Sequence, residues 1–149
     1  MILAIDVGNT NIVLGCINNG EILNIVRIQT NHRETAAECA IKLKQLMEFY
    51  NIDCRAFEGA IISSVVPQIT GALREAIELI SGVRALVVGP GMKTGMNIRL
   101  DDPSTLAGDL VAGGVAAMAY YGTPAIVIDM GTEPPWWWWI KTKAIWAGP

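Results

Sequence analysis

The sequence predicts an α/β fold built around a mixed sheet, and three observations carry that prediction. Short apolar runs rich in branched residues recur along the chain at strand length. The first three follow one another, with an Asn-Gly turn signal between the second and third, so they read as a hairpin meander. After them, strands alternate with segments of helical period, giving the order βββ, α, β, α, β, α, β. Such alternation calls for a mixed sheet with helices on both faces.

Each element has a local cause. Ile2 to Val7 is apolar and branched, while Asn11 to Ile17 and Glu21 to Gln29 flank the turn Asn18-Asn19-Gly20. Thr35 to Tyr50 sets Ala36, Ala40, Leu43, Leu46, Met47 and Tyr50 at the 3.6-residue period of a helix. Thr35 with Glu38 is a candidate capping box, and Thr30 or Asn31 are alternative starts. Ala60 to Val66 is a buried strand ahead of Pro67, which can open a helix as its first residue. That helix runs to about Ile80 and stops before Gly82. Arg84 to Val88 is a strand closed by Gly89-Pro90-Gly91, and Met92 to Leu100 is extended or looped. Ser104 to Tyr121 is a helix of small residues, so a neighbour must pack closely against it. Pro124 to Met130 is the last buried strand.

Composition narrows the function classes. A chain of 149 residues holds one domain, or one and part of another. With 52% apolar and 17% charged residues it can bury a large core and is not a disordered chain. A net charge of −3, with eleven Lys and Arg scattered singly, gives no electrostatic footprint for nucleic acid. Cys16, Cys39 and Cys54 are too few and too far apart for a zinc site or a disulfide framework, and read as free thiols. With no signal peptide and no apolar stretch near the roughly 18 residues of a membrane span, a reducing cytoplasm and no membrane partner are expected.

An internal repeat points to chemistry. Ala4-Ile5-Asp6-Val7-Gly8-Asn9-Thr10 recurs as Val127-Ile128-Asp129-Met130-Gly131-Thr132, and the two Asp residues lie 129 − 6 = 123 positions apart. Each copy ends an apolar strand on a carboxylate that can hold Mg²⁺ or its waters. The glycine lets a phosphate approach the backbone, and the small polar residues offer donors. Two such loops would clasp one nucleotide. Only 149 − 132 = 17 residues follow the second copy, so the second lobe is expected to begin here without being completed, as in a truncated chain.

These residues resemble a family. Asp6-Val7-Gly8-Asn9-Thr10, Ser63-Ser64-Val65-Val66-Pro67, Gly89-Pro90-Gly91-Met92-Lys93-Thr94-Gly95, Asp101-Asp102-Pro103, Asp109 and Asp129-Met130-Gly131-Thr132 stand in the order of type III pantothenate kinase. The resemblance covers roughly residues 1 to 132. It implies one lobe of the actin-like ATPase fold, an elaborated ribonuclease H topology, over residues 1–122. Residues 123–149 would begin a second, similar lobe, with an anomalous tail at 133–149.

The resemblance also implies roles. ATP phosphates would sit over Asp6, Val7, Gly8, Asn9, Thr10, Asn11, Ile12 and Val13, with Thr132 a further ATP contact and Asp6 near Mg²⁺ through the phosphates. Asp109 matches the base that takes the proton from the pantothenate hydroxyl, and phosphoryl transfer needs mainly such an aligned nucleophile and neutralised charge. Asp129 matches a ligand for K⁺ or NH₄⁺. Leu100, Ala107, Gly108, Asp109 and Leu110 fall at the family's substrate positions. A cytoplasmic homodimer taking part in coenzyme A biosynthesis is implied as well.

The chain also departs from the family. Ala107-Gly108-Asp109-Leu110 stands where the family usually reads Gly-Ala-Asp-Arg, and Leu100 replaces an aromatic residue. Both changes fall on the pantothenate side, which keeps an actin-fold kinase for another small hydroxylated substrate as the alternative. A non-enzymatic reading, the older Baf-type accessory transcription regulator, finds no basic patch to support it. The tail Glu133-Pro134-Pro135-Trp136-Trp137-Trp138-Trp139 is expected to form neither a good strand nor a good helix start. His32 reads as a loop residue, Asp101-Asp102-Pro103 as turn chemistry, and Lys93 sits in a glycine-rich turn within reach of phosphate.

Overall fold

A computed structural model describes residues 1–99, 107–129, 136–141 and 144–148. The chain forms two compact units, Met1–Val87 and Val88–Pro149.

The first unit holds a five-stranded sheet. Its strands are β1 (Ile2–Val7), β2 (Asn11–Asn18), β3 (Glu21–Gln29), β4 (Gly59–Ser64) and the two-residue β5 (Leu86–Val87). The spatial order is β3-β2-β1-β4-β5. The meander β1–β2–β3 is antiparallel, while β4 joins β1, and β5 joins β4, in parallel. This is the mixed sheet that the sequence predicted, and β1 lies at its centre. Asn19 and Gly20 both take positive φ, 50° and 84°, so the Asn-Gly step closes β2 onto β3 as a tight turn of the favoured twist.

Strand alternation splits the sheet into two faces. Leu3, Ile5, Val7, Ile12, Leu14, Cys16, Val26, Ala60 and Ile62 are buried on one face against helices α1 (Ala36–Phe49) and α2 (Pro67–Ser81). Cys39, Leu43 and Met47 of α1 and Ile69, Leu73 and Ile77 of α2 complete that core. The expectation of helices on both faces is therefore corrected within this unit: α1 and α2 cover the same face and pack against each other. The other face carries Ile2, Ala4, Asp6, Val13, Ile17 and Ile61, which are exposed or half-buried. Its apolar residues are smaller or fewer than those of the covered face, and Asp6 interrupts them.

The helix signals act as read. Thr35 caps α1 through a complete box, accepting from the Glu38 N–H while Glu38 accepts from the Thr35 N–H. Pro67 opens α2, and Gly82 ends it in the left-handed region at φ 73°.

The second unit holds β6 (Asn97–Ile98), helix α3 (Gly108–Tyr121), β7 (Ala125–Asp129), β8 (Trp136–Lys141) and β9 (Ala144–Gly148). Its sheet runs β6-β9-β8-β7, with β7, β8 and β9 an antiparallel meander and β6 parallel to β9. Leu110 and Ile140 are its buried centre, joined by Met96, Ile98, Ala117, Met118 and Val127. The tail expectation is corrected here, because Trp136–Lys141 forms a strand paired along its length with β7. Tryptophan is a good strand former, and the strand from Trp136 to Lys141 contains no proline. Among the described residues no helix is long and apolar enough to cross a membrane.

Candidate functional site

The candidate phosphate loop is the turn between β1 and β2. Gly8 N–H donates to the Asn11 carbonyl at 2.9 Å, so the chain reverses within four residues. A Cβ on Gly8 would stand 3.2 Å from that carbonyl oxygen, which explains why the smallest residue is used there. The turn is gripped from outside. Thr30, the first residue after β3, donates its N–H to the Thr10 carbonyl at 2.9 Å and its hydroxyl to the Gly8 carbonyl at 2.7 Å. The His32 ring Nε2 lies 3.3 Å from the Asn9 carbonyl, which can only accept, so this nitrogen is the donor. On the far side of β1, Val65 N–H donates to the Val7 carbonyl at 3.0 Å.

Asp6 lies two residues before Gly8, exposed near the end of the central strand. Register sets Ser63, Asp6, Val13 and Arg27 in one row across β4, β1, β2 and β3, on the face away from α1 and α2. Ser63 is 8% exposed, and its hydroxyl has no hydrogen-bond partner among the described residues. Ser64, its neighbour, is fully engaged: its Oγ accepts from Val66 N–H at 3.0 Å and from the Thr70 hydroxyl at 2.8 Å. Among the described residues no three His, Cys, Asp or Glu side chains converge on a metal position. One exposed carboxylate at a strand end suits Mg²⁺ all the same, since that ion is commonly held by one or two carboxylates plus phosphate oxygens.

An open polar cleft of about 490 Å³ lies beside the grip, lined by residues 29–34 and Lys42. Glu34 pairs with Lys42 there and accepts from the Cys39 thiol at 3.6 Å. Burial, reinforced by the Glu34 charge, pushes the Cys39 thiol up to about 11. Burial also raises Cys16 and Cys54. All three remain thiols at neutral pH, which suits packing rather than nucleophilic or metal chemistry.

Asp109 belongs to the second unit. It is half-buried in the first turn of α3, whose preceding residue Ala107 provides no side-chain cap. Its Oδ1 accepts from the Leu110 N–H at 2.7 Å. Gly108 is buried, and Leu110 is buried in the core with Ile140, which suits an apolar side chain at that position. Asp129 is the last residue of β7. Leu100, Asp101, Asp102 and Thr132 lie outside the described residues. The structure thus gathers residues 6–13 into one strand–turn–strand in the first unit, and residues 107–110 into one helix start in the second. Sequence reasoning missed the grip of Thr30 and His32 and the orphaned hydroxyl of Ser63. The one available signal was their position: Thr30 directly follows the strand that neighbours β2, next to the turn.

Comparison with solved structures defines the class. A candidate N-acetylglucosamine kinase from Porphyromonas gingivalis is 18% identical with a TM-score of 0.57, over 99% of this chain and 47% of that one. A reductive activator for corrinoid, iron-sulfur protein is 12% identical with a TM-score of 0.61, over 97% of this chain and 30% of that one. With the β3-β2-β1-β4-β5 sheet, these define an actin/hexokinase-like fold.

Sequence comparison goes further, to the family. The model of type III pantothenate kinase matches residues 2–133, and the chain belongs to that family. The type III pantothenate kinase of Bifidobacterium animalis subsp. lactis is 40% identical over 148 residues, 99% of this chain and 59% of that protein. That of Moorella thermoacetica is 44% identical over 132 residues, 89% of this chain and 52% of that protein. The chain therefore spans between half and three fifths of the length of these relatives.

Proposed function

We propose that the protein phosphorylates pantothenate with ATP, giving 4′-phosphopantothenate and ADP, the first step of coenzyme A biosynthesis. The observation that carries this reading is the family match over residues 2–133, which takes in both the Asp6 loop and Asp109. ATP phosphates lie over residues 6–13, where backbone donors and the Gly8 turn accept an anion, and Thr132 adds a contact. Asp6 would hold Mg²⁺ through the phosphates, and the ion would supply neutralisation of phosphate charge. Asp129 holds K⁺ or NH₄⁺.

Pantothenate lies against Leu100, Ala107, Gly108, Asp109 and Leu110. The hydroxyl oxygen attacks the γ-phosphorus, the bond from that phosphorus to the β–γ bridging oxygen breaks, and the hydroxyl proton passes to Asp109. The half-buried position of Asp109, with one oxygen bound to Leu110 N–H, supports an oriented base. Residues 1–122 form the first lobe and residues 123–149 belong to a second, and the protein works as a cytoplasmic homodimer.

Full-length protein with ATP, Mg²⁺ and a potassium or ammonium salt should convert pantothenate. Asp109→Asn should cut turnover by about a hundredfold or more, with ATP still bound. No conversion by the wild type, or unchanged turnover in the variant, would sink the proposal. Leu110 in place of Arg favours one alternative, a different small hydroxylated acceptor. A panel of acceptors with ADP release as readout separates the two.

A further inference from the structure

The geometry points to Thr30, seconded by His32, as the positioning residue that presets the β1–β2 turn for an anion. This inference rests on the proposed ATP role of that turn. Three successive carbonyls, of Gly8, Asn9 and Thr10, are all held from one side. Thr30 Oγ1 takes the first at 2.7 Å, His32 Nε2 the second at 3.3 Å, and Thr30 N–H the third at 2.9 Å. Among the described residues the cis bond is at Thr123–Pro124, so the peptide bonds of this turn are trans. In a trans peptide the N–H points opposite to the C=O. Fixing those three oxygens toward residues 30–32 therefore turns the N–H groups of Asn9, Thr10 and Asn11 to the opposite side. Successive N–H groups presented together form an anion nest, the chemistry a phosphate needs.

The turn has no slack to take up a loosened grip. Gly8 N–H is already spent on the Asn11 carbonyl, and Gly8 has backbone 3.2 Å from where a Cβ would be. Without the Thr30 hydroxyl, the Gly8–Asn9 peptide loses the bond that orients it. The nucleotide must then order that peptide when it binds, and affinity falls. Thr30 touches no phosphate itself, so its effect should appear in ATP binding and not in the acceptor.

The test compares wild type, Thr30→Val, which keeps the shape without the hydroxyl, and Thr30→Ser, which restores it. ATP affinity is measured by calorimetry, and the turn by NMR of backbone amides. Thr30→Val should weaken ATP binding about tenfold, the size of one oriented hydrogen bond. It should raise the KM for ATP and leave the KM for pantothenate alone, and Thr30→Ser should bring ATP affinity back. In wild type, ATP should shift the amides of Asn9, Thr10 and Asn11 together. A purely structural Thr30 would lower the melting temperature yet leave ATP affinity of the folded variant unchanged, and that result overturns the inference. So does ATP binding that leaves the three amides unmoved, or a Ser variant that fails to recover. Wild type that binds no ATP at all refutes the proposed function instead, a distinguishable failure.

Discussion

The two meanders, β1–β2–β3 and β7–β8–β9, share one frame and bury opposite faces. Asp6 pairs with Val13 and Asp129 with Trp136, a span of seven in both cases (13 − 6 and 136 − 129). Asn18 pairs with Glu21 and Lys141 with Ala144; Ile17 pairs with Ile22 and Ile140 with Ile145. All of these are offset by 123 without insertion or deletion. Among the described residues the two registers part at one place. The register in the first shifts between Cys16 and Ile17, so Cys16 meets Asn24, whereas Trp139 meets Trp146 without a shift. The larger difference is burial. Leu3 and Ile5 lie under α1 and α2, while their counterparts Ile126 and Ile128 are 69% and 63% exposed. Conversely Ile140 is fully buried in the core that includes α3 residues, and its counterpart Ile17 is only half-buried. Hydrogen-bond register and face burial are thus separate decisions: the strand pattern fixes the first, and the covering helices choose the second.

Alanine at paired positions tests that separation most severely. Leu3→Ala should cost about 2–5 kcal/mol of stability, as for any large aliphatic residue removed from a closed core. Ile126→Ala, its repeat counterpart, should stay within about 0.5 kcal/mol. The order reverses on the other face, with Ile140→Ala far costlier than Ile17→Ala. Chemical denaturation of the four variants measures all of this. Equal losses at Leu3 and Ile126 would mean that both copies bury the same face.

The turn after the second strand gives a smaller test. Gly20 has φ 84° and nothing within 4 Å of its would-be Cβ, so Gly20→Ala isolates the backbone cost of a left-handed turn. About 1 kcal/mol should be lost. A thermal midpoint that does not move would show that this turn relaxes freely and does not set the register of β2 on β3.

How much of this was legible follows from what each signal encodes. Local rules wrote the Asn19-Gly20 turn, the Thr35–Glu38 box, Pro67 at a helix start and Gly82 at a helix end directly into the sequence, and each stands as read. The repeat Asp residues were legible because a strand-end carboxylate before glycine is a local pattern. The covered face was not, since alternation marks which residues share a face but says nothing of which helix reaches it. The Trp strand was not legible because two adjacent prolines argue against a strand by local rules, whereas the strand begins at Trp136. The Thr30 grip was invisible for another reason: its hydrogen bonds span 22 positions and depend on β3 closing onto β2.

The helix starts separate the two units once more, and here the handle is pH. In α1, Glu38 accepts from both the N–H and the hydroxyl of Thr35 at 2.8 Å, whereas α3 begins at Ala107 with no side-chain cap. Those bonds, the backbone one foremost, hold the Glu38 carboxyl below its ordinary value. A folded value lower than the unfolded one means that the charged form favours the fold. The contribution is therefore complete above the unfolded value of about 4.3 and fades as pH falls through the lowered folded value. Comparing Glu38→Ala with wild type from pH 7 down to pH 3 should show a gap in thermal midpoint that closes at the acid end. The effect should be small, because the carboxylate is exposed and salt screens it. A gap that stays constant with pH would show that Glu38 supports α1 through its alkyl chain and helix propensity, not through the charged box.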